Sequence, residues 1–154
     1  GYELTYKGKT TLPKDQVAAF YRRRDHSVEA VVKKWIKAPG VMILAEGTTM
    51  VVRRMADKVT VLGANNDAVT LELDATTHLP LRLSFRSRNA QFNDWDEDAE
   101  EYDDYHTVQG LPTAYTVTRY HNGEMVSQTF LTSVEYNKGL SQDLFNPDLL
   151  LRKK

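Results

Sequence analysis

Two neighbouring stretches decide the fold: Ala68-Val69-Thr70-Leu71-Glu72-Leu73-Asp74 and, a short turn later, Leu79-Pro80-Leu81-Arg82-Leu83-Ser84-Phe85-Arg86. In the first, Val69, Leu71 and Leu73 alternate with Thr70, Glu72 and Asp74. In the second, Leu79, Leu81, Leu83 and Phe85 alternate with Pro80, Arg82, Ser84 and Arg86. Side chains of a strand point to opposite faces in turn, so period two predicts antiparallel strands with one apolar and one wet face. Pro80 sits near the strand's start, where its missing N–H is tolerated.

Working outward, the same pattern continues on both sides. Lys58–Leu62 precedes the turn-rich run Gly63-Ala64-Asn65-Asn66-Asp67. Val41–Leu44 and Met50–Arg53 flank Glu46-Gly47-Thr48, which reads as a turn. Downstream, Thr113–His121 and Glu124–Tyr136 flank Asn122-Gly123, a pair suited to a hairpin turn in which both residues take positive φ. On the second of these strands Val126, Phe130, Val134 and Tyr136 share a face. Asn146-Pro147 closes the ordered region. At the other end, Tyr2, Leu4 and Tyr6 suggest an edge strand that Gly8 ends.

Only one stretch has a clear helical period. Val28, Val31, Val32, Trp35 and Ile36 fall at i, i+3, i+4, i+7 and i+8, one stripe of an amphipathic helix. Ser27 is the expected N-cap, Glu29 suits the first turn, and Lys33, Lys34 and Lys37 suit the last. Pro39-Gly40 stops it. Pro13–Arg24 fits a second helix or a strand. An antiparallel sheet with one apolar face must be covered. The expected architecture is therefore α+β, mainly β: a curved antiparallel sheet, or incomplete barrel, of seven or eight strands closed by a helix. One domain is expected over residues 2–150, with a helical lid at about 27–37, a β meander at about 41–137 and a basic tail at 151–154.

The 154 residues are 41% hydrophobic and 27% charged, ordinary usage for a folded domain. The chain has no cysteine, which excludes disulfides, thiolate metal sites and cysteine nucleophiles. Twenty basic and twenty-one acidic residues leave a net charge of −1, with no basic excess for nucleic acid. No apolar run approaches the ~20 residues that span a bilayer. Gly1 in place of Met reads as a processed or engineered start, so any leader or lipid anchor is expected upstream.

Eight of the eleven residues from Asp94 to Asp104 are acidic. Asp94, Asp96 and Asp98 suggest a Ca²⁺ loop, but Ala99 and Tyr105 stand where that loop needs Gly and Glu. The expected form is a solvated loop between two strands, with a basic partner or the chain's own Arg22-Arg23-Arg24 as its counterpart. The four histidines, His26, His78, His106 and His121, form no zinc spacing and are expected at the surface or at strand ends. No serine lies in a nucleophile elbow, and no phosphate loop occurs. No catalytic residue, metal or cofactor is assigned.

Several runs carry a family resemblance. They are Asp67–Asp74 with Thr77-His78-Leu79-Pro80-Leu81, Glu101-Tyr102-Asp103-Asp104-Tyr105 leading to Gly110-Leu111-Pro112, and Arg119-Tyr120-His121-Asn122-Gly123-Glu124. Tyr136-Asn137 with Leu144-Phe145 completes the set. Together they resemble bacterial periplasmic proteins of outer-membrane lipoprotein sorting, similar to the Lol carrier and receptor family, over roughly Val41 to Pro147. The resemblance implies an incomplete barrel with a helical lid over an apolar cavity that takes a lipid or lipoprotein acyl chain without chemistry. It also implies a periplasmic or outer-membrane-associated location and an envelope protein partner. On this reading Val31, Trp35, Leu71, Leu83, Phe85, Val117 and Phe130 line the cavity. The competing expectation is a solid-cored interaction module of the envelope whose acidic loop binds a partner.

Overall fold

A computed structural model describes residues 1–89 and 91–151. The basic tail expected at the C-terminus therefore lies, from residue 152 on, outside the described residues. Seven strands form one antiparallel sheet in chain order: β3 (Met42–Val51), β4 (Arg54–Leu62), β5 (Ala68–Asp74), β6 (Pro80–Asn89), β7 (Asp94–Val108), β8 (Leu111–His121) and β9 (Glu124–Phe130). The sheet is a simple meander, and it is open, since β3 and β9 are edges rather than partners. Ahead of it lie a separate hairpin, β1 (Tyr2–Thr5) with β2 (Gly8–Thr11), and two helices, α1 (Lys14–Asp25) and α2 (Val28–Lys33). A 3₁₀ turn at Trp35–Lys37 follows α2, and a second at Gln142–Phe145 precedes the short α3 (Pro147–Leu151).

The two deciding stretches pair as their alternation requires. Val69 lies opposite Phe85 and Leu71 opposite Leu83 on one face, while Thr70 faces Ser84 and Glu72 faces Arg82 on the other. The apolar face packs against α2. Val31, Val61, Val69, Leu71, Leu83 and Phe85 form the core, joined by Val28, Trp35, Val41, Leu73 and Tyr102. Leu81 packs instead with Val51 and Ala56 in a small second cluster, beside a bulge in the β5–β6 pair.

Several expectations are corrected. Glu46-Gly47 is a bulge within one continuous strand, not a turn: both residues oppose Lys58, and Gly47 takes a φ of 88°. The turn falls on Val52-Arg53, both at positive φ although neither is glycine. The N-terminal strand does not join the edge of the main sheet; Gly8 opens β2 and the two strands pair with each other. β9 ends at Phe130 rather than running to Tyr136. Beyond it Tyr136 is held by side-chain bonds, its backbone N–H donating to Gln109 Oε1 at 2.6 Å and its hydroxyl bonding Thr113 Oγ1 at 2.8 Å. The helical stripe ends in a 3₁₀ turn, and the ambiguous Pro13–Arg24 stretch is helix.

The acidic run is the largest correction. It forms β7, a central strand between β6 and β8, not a loop. Its charges are met by the neighbouring strands. Glu97 accepts from Arg82 at 3.3 Å and Arg86 at 3.4 Å; Glu100 accepts from Arg119 at 2.9 Å. Asp98 pairs with His121 at 3.0 Å, and Glu101 accepts from the Tyr120 hydroxyl at 3.0 Å. Opposite charges facing each other across strands stabilise a ladder, so an acidic sequence becomes a good strand once its neighbours are basic.

Candidate functional site: the lid and the apolar face beneath it

α1 buries no residue of its own. It is held to the sheet by polar contacts, chiefly Arg22, whose guanidinium donates to Ser87 Oγ at 2.7 Å. α2 does the apolar work. Ser27 caps it by accepting from the Ala30 N–H at 3.2 Å, and Ala30 and Val31 turn down into the core. Trp35 then packs over the cluster, its indole N–H donating to the Asp25 carbonyl at 2.9 Å. That bond ties the 3₁₀ turn back to the end of α1.

Of the seven residues expected to line a cavity, Val31, Leu71, Leu83 and Phe85 are together in one buried cluster, with Trp35 packed against it. Val31 and Leu83 are each only 1% exposed. These side chains pack directly beneath the lid. Val117 is half-buried on the same face, opposite Tyr102. Phe130 lies opposite Thr116 on the other face and is 67% exposed, so it is not brought to this group.

The sequence reading missed His26. Expected at the surface or a strand end, it is buried between α1 and α2. Its ring stacks on Phe85, with centroids 4.3 Å apart, and leans against Trp35. Nδ1 is 2.7 Å from the Arg22 carbonyl, and Nε2 is 2.9 Å from the Asp67 carboxylate on the β4–β5 loop. Both ring nitrogens lie against oxygen acceptors. His26 thereby links lid, loop and core. Its place just before the capping Ser27 was the available signal, because that position often packs its side chain against the helix it precedes.

Beside the lid, Tyr102 donates to Glu100 Oε2 at 2.8 Å. Burial, and then the Glu100 charge, push the phenol's deprotonation far above its ordinary range, so it stays a donor. Among the described residues no group of three or more His, Asp or Glu could hold a metal ion, and no helix is long and apolar enough to cross a membrane.

No protein-family model matches the chain, and no curated protein matches it. Among solved structures it is similar to a crystal structure from Vibrio parahaemolyticus described as an outer membrane lipoprotein-sorting protein domain. The identity is 14% and the TM-score 0.44, with 71% of this chain matched. The match covers 48% of the neighbour, about half its length.

Proposed function

We propose that the protein is a non-catalytic module of the cell envelope that binds a lipid or lipoprotein acyl chain between α2 and the apolar face of the sheet. One observation carries this reading: the main apolar core lies under a lid that docks through Ala30, Val31 and Trp35, while α1 buries no residue. Lifting the lid re-exposes Val31 and Trp35, at about 3–6 kcal/mol for two large apolar side chains. An acyl chain contributes about 0.8 kcal/mol per buried CH₂, so roughly four to eight methylenes match that cost. The periplasmic or outer-membrane setting, and an envelope protein that hands over or receives the lipid, are part of the same proposal and rest on the sequence resemblance.

The test is native mass spectrometry with solvent extraction, followed by displacement of a fluorescent fatty acid. An extractable or displaceable acyl species is the expected result, and Trp35→Glu is expected to abolish binding. Normal binding by a folded Trp35→Glu variant removes the lid from the account. A clean mass with no probe uptake removes the acyl ligand.

A second reading, a solid-cored interaction module, is favoured by the sheet edges. Its acidic partner-binding loop no longer stands, because those residues form β7. The partner surface moves to β3, which exposes Met42, Ile43 and Leu44, and to β9, which exposes Met125, Val126 and Phe130. Open apolar edge strands are templates for pairing with another chain. Charge-bearing substitutions at Ile43 that weaken a partner without altering acyl binding would favour this reading.

A further inference from the structure

The face of the sheet turned away from the helices carries a cleft of about 600 Å³, lined by five consecutive strands, β3 to β7, and the β4–β5 loop. Its floor is polar. Thr60 and Thr70 share a hydroxyl–hydroxyl bond at 2.9 Å, and Lys58 reaches Glu46 at 2.8 Å. At the centre Arg82 stands among three carboxylates, Glu97 at 3.3 Å, Glu72 at 3.6 Å and Glu101 at 3.9 Å. These distances are long for charge-assisted bonds. Arg82 Nε is buried and has no hydrogen-bond partner. At one end stands the Trp95 ring, 55% exposed.

These features exclude most ligand classes. The floor offers no aliphatic bed for an acyl chain. A phosphate or carboxylate would meet the acids already crowding Arg82. A cation would meet Lys58, Arg82 and Arg86. Each of those bases already has a carboxylate partner among Glu46, Glu72, Glu97 and Glu101, and Asp67 at the margin is engaged by His26. What remains is an uncharged ligand bearing many hydroxyls. Each hydroxyl donates to a carboxylate and accepts from a guanidinium or ammonium group at once. The C–H face of a sugar ring also lies well on an exposed indole, which has an apolar body.

We propose that this cleft is a binding site for a neutral saccharide, with Trp95 as the platform and Thr70, Glu72, Arg82 and Glu97 as partners of its hydroxyls. This site lies on the opposite face from the acyl site, and each can fail without the other.

The test is titration of ¹⁵N-labelled protein with two neutral probes, maltotriose and triacetylchitotriose, followed by NMR. Saturable shifts at the Trp95 indole N–H, the Arg82 Nε–H and the Thr70 amide are expected from at least one sugar, with the Trp35 indole unmoved. Trp95→Ala is expected to weaken binding at least about tenfold, and Thr70→Val, which keeps the side chain's shape, to weaken it as well; spectral dispersion reports that both variants fold. The proposal is overturned by the absence of saturable shifts from either sugar, or by unchanged affinity in the folded variants. It is equally overturned if inorganic phosphate moves Arg82 while the sugars do not.

Discussion

Asp74, at the end of β5, organises the turn into β6. Its Oδ1 accepts the Thr77 N–H at 2.8 Å and the Thr76 N–H at 3.0 Å, and Arg54 pairs with Oδ2 at 2.9 Å. The two backbone donors, Thr77 first, hold the carboxyl down at about 2, against its ordinary 3.8. A carboxylate whose folded value is depressed adds stability that is complete above the ordinary value and is lost as pH falls through the folded one. Asp74 therefore contributes fully above about pH 5 and progressively less between about pH 4 and pH 2. Asp74→Asn is expected to lower the melting temperature at neutral pH and to flatten its decline from pH 5 to pH 2. Thermal melts of both proteins across that range check this, and parallel curves would refute it. The alternating strands on either side leave room for this turn, but the arginine that completes it comes from twenty residues away.

At the scale of elements, turns separate what was legible from what was not. Asn122-Gly123 announced its hairpin, and both residues take positive φ, 51° and 80°. Val52-Arg53 makes the equivalent two-residue turn with φ of 45° and 65°, although valine is a poor choice for that region. No turn signal marks it, whereas the nearby Gly47 offers one. Replacing the pair by Asn-Gly is expected to stabilise the protein by about 1 kcal/mol, the left-handed strain less the added freedom of glycine in the unfolded chain. That corresponds to a rise of roughly 2–4 °C in melting temperature for a domain of this size. An unchanged or lower melting temperature would show that Val52 or Arg53 makes a compensating contact. β7 was illegible for a related reason. Eight acids in eleven residues predict a solvated loop when read alone. Their partners, Arg82, Arg86, Arg119 and His121, are supplied by β6 and β8, and only pairing reveals them.

At the scale of the whole molecule, the sheet and its lid followed from two periods, two for the strands and 3.6 for the Val28–Ile36 stripe. Helix α1 stayed ambiguous because it buries nothing, so no apolar stripe records it. The cluster of Val31, Leu71, Leu83 and Phe85 was legible because one face of a regular strand faces one stripe of a helix. Register separates Val117 from Phe130: Val117 lies opposite Tyr102, while Phe130 opposes Thr116 on the other face. The polar cleft was hidden, since its floor is the wet face of five strands and each strand alone reads as solvated. His26 has the same lesson in miniature, joining α1, the β4–β5 loop and Phe85 through contacts of long sequence separation.

The lid's capacity to open over an acyl chain is the central claim, and methyl NMR tests it most directly. With the valine and leucine methyls labelled, dodecanoate is added in steps. The account predicts saturable shifts at Val31, Val69, Leu71 and Leu83, the groups an acyl chain would touch on displacing α2. Unmoved methyls in that cluster, or shifts confined to Leu44 and Val126 on the exposed edges, would contradict it.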